Sequence, residues 1–383
     1  MTAYIAGIYE HPTRFAPDQS VALLHAEVAA GAVHDAGLTM RDVDGYFCAG
    51  DAPGIGPLSM VEYLGLRPRH VDATDIGGSS PIAHVAHAAQ AIAARKCNIA
   101  LITCAGRPRA ERSRPGALTL HIEYPESEFE LPYFPMLQAN YALCARRHMY
   151  EYGTTSEQLA WIKVAASHHA QHNPNAFLRK VVTVDDVVQS PLIADPLHKL
   201  DCCVITDGGG AIIVVRPEIA RSLKRPRVRL KGAGEALGYN LGSNIDLTRS
   251  AGIQSGAIAY DAAGVTPADI KYLSTYDSYT VTVLIAIEDL GFCEKGQGGA
   301  FVTDGNLISG VGRLPVNTDG GGLCNNHPAH RGGMTKVIEA VRQLRGEAHP
   351  AVQVHDCNIA MAHGTGGMLD RRHGCATIIL ERE

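Results

Sequence analysis

Two hydrophobic periods alternate along this chain. Short apolar runs bounded by turn residues predict strands near 3–8, 44–48, 69–73 and 98–104, with helical stretches between them. Over 20–36 the apolar residues recur at helical spacing, and the stretch stops at Gly37, a natural C-cap. A second helix over about 81–95 follows Gly77-Gly78-Ser79-Ser80-Pro81. Later the order returns: a strand near 226–236, a helix over 251–263, a strand over 271–276, helices over 280–290 and 331–345, then strands over 352–361 and 375–381. Strands alternating with helices predict an α/β fold with a largely parallel sheet in each half.

Three segments recur in the same sequential order. Ala36-Gly37-Leu38-Thr39-Met40-Arg41-Asp42-Val43 returns as Ala263-Gly264-Val265-Thr266-Pro267-Ala268-Asp269-Ile270, 227 positions on. Cys97-Asn98-Ile99-Ala100 returns as Cys357-Asn358-Ile359-Ala360 at an offset of 260, and Gly210–Val215 resembles Cys375–Leu380 at an offset of 165. The shared order divides the chain into two pseudo-twofold halves, 1–222 and 223–383. The falling offset gives the first half about 95 extra residues before its final strand, near 107–200. That stretch is rich in proline, aromatics and histidine, and its length predicts a cap over a functional site.

Composition narrows the chemistry. Of 383 residues, 46% are hydrophobic, enough for a large core, and the net charge of -5 offers nucleic acid or an anionic membrane no attraction. No apolar run reaches the roughly 18 residues of a membrane span. The start of the chain lacks the basic and apolar regions of a signal peptide. Ten cysteines without a C-x-x-C pair predict reduced thiols and a cytoplasmic location. The 40 glycines cluster in turns, where a backbone can approach a ligand closely.

The most specific stretch runs Ser156-Glu157-Gln158-Leu159-Ala160, His168-His169, Asn173-Pro174, Ser190-Pro191-Leu192-Ile193-Ala194-Asp195-Pro196-Leu197, Asp201-Cys202-Cys203, then Asp207-Gly208-Gly209-Gly210-Ala211. With Gly320-Gly321-Gly322, Asn326-His327-Pro328 and Gly366-Gly367, it resembles the thiolase superfamily, specifically the sterol-carrier-protein-type thiolases, over nearly the whole chain. The resemblance implies two βαβαβαββ halves in an αβαβα sandwich with a cap insertion. Its catalytic pattern is a Cys nucleophile at a helix N-terminus, whose dipole favours thiolate, a His-Pro histidine, a loop Asn or His, and a second Cys. Counting back from Ala88-Ala89-Gln90-Ala91-Ile92 puts the nucleophile position at Gly78; the loop position falls on Tyr276 and the second Cys on His363, while His327 is kept.

Without a nucleophile, Claisen chemistry has no acyl acceptor. Retro-aldol chemistry needs none: a base takes a β-hydroxyl proton, the Cα–Cβ bond breaks and donors hold the enolate. The pattern is similar to thiolase-like aldolases that cleave steroid-type side chains of β-hydroxyacyl-CoA esters to a ketone or aldehyde and a shorter acyl-CoA. The resemblance implies a CoA thioester substrate, no bound cofactor, a homodimer and a small partner with an OB-fold and zinc ribbon. His327 is then the expected enolate donor, with His363 as proton carrier and Tyr276 either a donor to the oxyanion or an acid/base; Gly78, Ser79, Ser80, Gly322, Gly366 and Gly367 are expected to form the substrate walls. The alternatives are a divergent thiolase or acyltransferase using Cys324 or a serine, and a non-catalytic subunit of the same fold. Ser80 before Pro81 reads as a helix N-cap. His168 and His172 have metal-compatible spacing but no H-E-x-x-H motif, so no metal is expected.

Overall fold

The computed structural model describes residues 3–49, 52–113, 137–238, 246–328, 332–369 and 371–383. The strands are β1 (Tyr4–Glu10), β2 (Gly45–Cys48), β3 (His70–Asp72), β4 (Ile99–Gly106), β5 (Leu192–Ala194), β6 (Leu197–His198), β7 (Gly208–Val215), β8 (Val228–Gly238), β9 (Tyr272–Thr275), β10 (Ile359–Met368) and β11 (Arg371–Arg382). Nine of them run in the order β3-β2-β4-β7-β1-β8-β11-β10-β9, and β5 and β6 form a separate hairpin. β1 and β8 meet through two residue pairs, Tyr4 with Arg229 and Ile5 with Val228, so a short seam joins the two halves of the sheet.

The sheet is mixed, which corrects the expectation of largely parallel halves. β3, β2 and β4 are mutually parallel, as are β9 and β10, but β7 runs antiparallel to β4 and β11 antiparallel to β10. In the second half β11 returns directly beside β10, and such a tight return is antiparallel; in the first half β7 takes the same direction after the long insertion. In the first half the order is βαβαβαββ, with helices Val21–Asp35, Pro57–Tyr63 and Ser80–Ala93 between the strands. In the second half the third strand is reduced to one bridge between Val316 and Leu273. Asn317 ends it: its φ is +52°, and its side-chain amide bonds both the N–H and the carbonyl of Thr275 at 2.9 Å.

Strand alternation builds five layers. Ala100, Ile102, Ile212 and Val214 of the first half, and Ala360, Ala362, Ala376 and Ile378 of the second, face a common core with helices Ser80–Ala93 and Gly333–Arg345. Their neighbours Leu101, Ile213 and Val215 face outward against helix Val21–Asp35. On the far side, Leu273, Met361 and Ile379 face helices Gly252–Ala263 and Thr280–Asp289. This is the expected αβαβα sandwich.

The sequence repeats land on equivalent features. Thr39 and Thr266 open matching 3-10 turns, each donating its N–H to Asp42 or Asp269 at 2.8 Å, and β4 and β10 start at Ile99 and Ile359. The predicted strand over 352–361 is misplaced. Val352–Val354 form a buried turn because Gln343 supplies the pairing a strand would need: its amide donates to the Val352 carbonyl at 3.0 Å and accepts from the Val354 N–H at 2.8 Å. Within the long insertion, helices Leu137–Tyr152 and Ser156–Ala170 lie against the second half; residues 114–136 fall outside the described set. Tyr141 stacks on Tyr279 at 4.5 Å, and the Lys163 ammonium donates to the Leu323 carbonyl at 2.6 Å.

Candidate active site

The two central helices converge at their N-termini. A Cβ built on Gly333, the first residue of helix Gly333–Arg345, would lie 1.9 Å from the Gly78 carbonyl oxygen, and Gly78 sits in the turn that opens helix Ser80–Ala93. Two positive dipole ends therefore face one small region. Tyr276, the residue after β9, and His327 enter it together, with ring centroids 5.1 Å apart in an edge-to-face contact. Gly332 lies beside both: a Cβ there would be 3.2 Å from His327 Cδ2 and 3.5 Å from Tyr276 Cε2.

Buried polar ties hold these loops. Asp277 accepts the N–H groups of Gly322 at 2.8 Å and Leu323 at 3.2 Å, and pairs with the Lys336 ammonium at 2.6 Å, all out of solvent. The same carboxylate thus fixes the Tyr276 loop to the glycine loop ahead of His327. Gly322 has no room for a side chain, since a Cβ would stand 2.8 Å from His327 Cδ2. Thr206 accepts the His327 N–H at 2.9 Å and donates to Asn326 Oδ1 at 2.7 Å. Sequence reasoning missed Asp277, Lys336 and Thr206. Asp277 adjoins Tyr276 in the chain, but its partners come from remote segments and left no local signal.

Gly78 answers the question of the absent nucleophile. A Cβ there would lie 2.6 Å from Tyr276 Cε2, 2.8 Å from Tyr276 Cζ and 2.4 Å from the Thr365 carbonyl oxygen. The tyrosine ring occupies the space that a side chain at 78 would need. Burial pushes the Tyr276 phenol well above its ordinary 10, so it keeps its proton.

The structure separates His363 from this pair. Even-numbered residues of β10 face the central helices, where a Cβ on Gly364 would touch Ile82 and Ser79. His363 therefore points the other way, toward helix Gly252–Ala263. There its Nδ1 bonds Thr377 Oγ1 at 2.8 Å, and its Nε2 lies 3.5 Å from the Cβ position of Gly252 without a hydrogen-bond partner. Burial lowers its pKa to about 3. The expectation that His363 shares a site with Tyr276 and His327 fails because strand alternation sends neighbouring side chains to opposite faces.

The remaining candidates are packed rather than poised. Ser79 is fully buried, and its hydroxyl lies 3.1 Å from the carbonyls of both Ile76 and Gly374. Ser80 is the first helical residue rather than the N-cap: its hydroxyl accepts the Ile76 N–H at 2.8 Å and donates to the Gly77 carbonyl at 2.7 Å, closing the turn below the helix. Ser79 has only carbonyl oxygens beside it, and Ser80, although its hydroxyl lies 3.4 Å from an Asp75 carboxylate oxygen, is held closer by the Gly77 carbonyl. Cys324 lies in the apolar cluster beneath the cap, where burial raises its thiol above 9.0. Gly366 lets backbone meet backbone, since a Cβ would fall 1.7 Å from the Ile76 carbonyl oxygen, and Gly367 turns with φ +70°. Among the described residues no group of three metal-ligating side chains is gathered.

With this geometry in hand, known proteins can be compared. Residues 234–382 match the thiolase C-terminal domain-like family. The chain is 35% identical to the steroid side-chain-cleaving aldolase of Thermomonospora curvata across 95% of each protein. It is 34% identical to the 17-hydroxy-3-oxo-4-pregnene-20-carboxyl-CoA lyase of Mycobacterium tuberculosis, across 90% of this chain and 91% of that one. An acetyl-CoA acetyltransferase of Methanothermobacter thermautotrophicus is 41% identical over 61% of this chain and 60% of its own length. Among solved structures, an Ltp2-ChsH2(DUF35) aldolase superposes with a TM-score of 0.88 at 31% identity, covering 100% of this chain and 98% of that one. A monomeric SCP2-thiolase-like protein of Mycobacterium smegmatis, at 20% identity and a TM-score of 0.74, shares the fold, covering 99% of this chain and 76% of its own. Fold, loop motifs and near full-length similarity agree: the chain belongs to the thiolase superfamily, on the SCP2-like branch that includes the steroid side-chain-cleaving aldolases.

Proposed function

We propose that this chain is a retro-aldol carbon–carbon lyase, cleaving a β-hydroxyacyl-CoA with a steroid-type or similar side chain to a ketone or aldehyde and a shorter acyl-CoA. The observation that carries this reading is the tyrosine ring in the space of a side chain at position 78. The site has no acyl acceptor there, yet it keeps what an enolate needs: two helix N-termini and a phenol donor.

In this reading His327 takes the proton from the β-hydroxyl. The β-carbon becomes a carbonyl, the Cα–Cβ bond breaks, and its electron pair moves onto the thioester as an enolate. Tyr276, kept protonated by burial, donates to the enolate oxygen. The proton held by His327 then returns to the α-carbon, giving the shorter acyl-CoA. Tyr276 keeps one of its expected roles, while His327 takes over the proton from His363, which lies on the opposite face of its strand.

The solved aldolase neighbour is named together with a DUF35 chain. We extend that pairing to this protein as a small OB-fold and zinc-ribbon partner, with the chain itself a homodimer. We place its work in the cytoplasm, where ten cysteines, none of them in a disulfide, persist reduced. The decisive experiment incubates a β-hydroxyacyl-CoA with the enzyme, with and without the partner, and adds no free CoA. Carbonyl product and shorter acyl-CoA should form in equal amounts, at a rate that added CoA does not raise. Strict dependence on free CoA, with turnover of the β-keto ester, would instead restore a thiolase.

A further inference from the structure

We infer that Gly78 and Tyr276 form a complementary steric pair that selects the reaction: the ring at 276 and a side chain at 78 exclude each other, so one site cannot hold both a phenol donor and an acyl-accepting residue. The inference deepens the cleavage reading above and rests on it for the chemistry, but the exclusion stands on geometry alone. A Cβ at 78 would come within 2.4 Å of the Thr365 carbonyl oxygen and within 2.6 and 2.8 Å of two ring atoms of Tyr276, distances that real Cβ atoms essentially never show; the ring adds to the backbone contact and fills the rest of the space.

The ring has little room to retreat. Tyr276 is 6% exposed, His327 lies edge-on to it at 5.1 Å, and Gly332 backs both rings. Its backbone is pinned as well: the Tyr276 N–H donates to the His363 carbonyl at 3.0 Å, and the next residue, Asp277, is tied to Gly322, Leu323 and Lys336. A side chain at 78 therefore has to displace a held ring as well as shift from the Thr365 carbonyl. Conversely, with glycine at 78 and no ring at 276, an unfilled volume would open at the N-terminus of helix Ser80–Ala93. The exclusion joins the helix start to a loop nearly 200 positions away, so the choice between covalent and non-covalent chemistry lies in the pair and not in either residue.

The test is a cycle of variants on the full chain, read by melting temperature and by mass. Gly78→Ala should lower the melting temperature by several degrees. In Gly78→Ala/Tyr276→Ala the loss should be clearly smaller than the sum of the two single losses, because the ring contact is gone; the Thr365 carbonyl contact remains in both. Gly78→Cys alone, given an acyl-CoA, should show no acyl adduct. Gly78→Cys/Tyr276→Ala should show one on the introduced thiol: its sulfur bonds the acyl carbon, the bond to CoA sulfur breaks, and the thiol proton leaves on free CoA. Additive melting losses, or a Gly78→Ala protein as stable as wild type, would overturn the exclusion. A folded double variant that takes no acyl group would overturn its role in selecting the reaction. Both readouts are independent of whether the natural protein cleaves β-hydroxyacyl-CoA, so a failure of that reading is recognised separately by inert wild type.

Discussion

Tyr276, His327 and His363 look alike as candidates in the sequence, and the structure gives them different fates. Removing a positioned donor costs about 10²–10³ in turnover and removing an acid/base about 10²–10⁴. Tyr276→Phe and His327→Ala should therefore each slow cleavage by at least about a hundredfold with the fold intact, measured by release of the carbonyl product. His363→Gln should stay within a few-fold of wild type, and a hundredfold loss would put His363 back in the reaction. Its influence is on stability. Burial holds His363 at about 3, and His84, His169 and His373 at about 4, against 6.5 for a free imidazole. The unfolded chain takes up protons below about 6.5 that the folded chain refuses. Stability is thus fully present above that pH and is lost as pH falls toward 4, at up to ~1.4 kcal/mol per pH unit for each ring. His363→Gln should flatten that decline, as melting curves between pH 7 and 4 would show.

Elements place these residues by means the sequence reveals unevenly. Helix Val21–Asp35 was readable because it carries its own instructions: Ser20 accepts the Leu23 N–H at 3.1 Å, and Gly37 turns away with φ +71°. The start of helix Ser80–Ala93 was half readable. Serine and proline marked the place, but the hydroxyl closes the preceding turn and does not cap the helix. Ser80→Ala should cost about 1 kcal/mol in denaturant melts, with activity largely kept. The Asp277–Lys336 pair has larger stakes. Asp277→Asn leaves a buried ammonium without its counter-charge, a loss of about 3–5 kcal/mol, and loosens the loop that carries Tyr276. Asp277→Asn/Lys336→Met should recover part of that stability but not the activity, as urea melts and turnover on the same samples would separate.

At the scale of the whole molecule, two halves share one central core, and the site lies where their middle helices meet end to end. Helices Leu137–Tyr152 and Ser156–Ala170 of the insertion pack against the second half. The proposed partner is an expectation about the assembly: co-expression with a small OB-fold protein should give a complex that survives gel filtration and is more active than the chain alone. Full activity from the purified homodimer would remove the partner.

The sequence by itself determined what is local or repeated. Hydrophobic period, caps and the three repeats indicated the alternation of strands and helices, the Thr39 and Thr266 turns and the start of β4, while the strand expected from 352 begins only at Ile359. Glycine at 78 already denied the chain a nucleophile there. Tertiary structure decided what depends on contact between distant segments. Strand direction and the loss of the third strand at Asn317 follow from partners far along the chain. So does the face His363 presents, because a one-residue step along a strand reverses a side chain and loop motifs do not encode that register. Distance along the chain also hid the pairing of Asp277 with Lys336, 59 positions apart within the second half, and the ring of Tyr276 lying against Gly78, which exists only because the two halves meet on a common core.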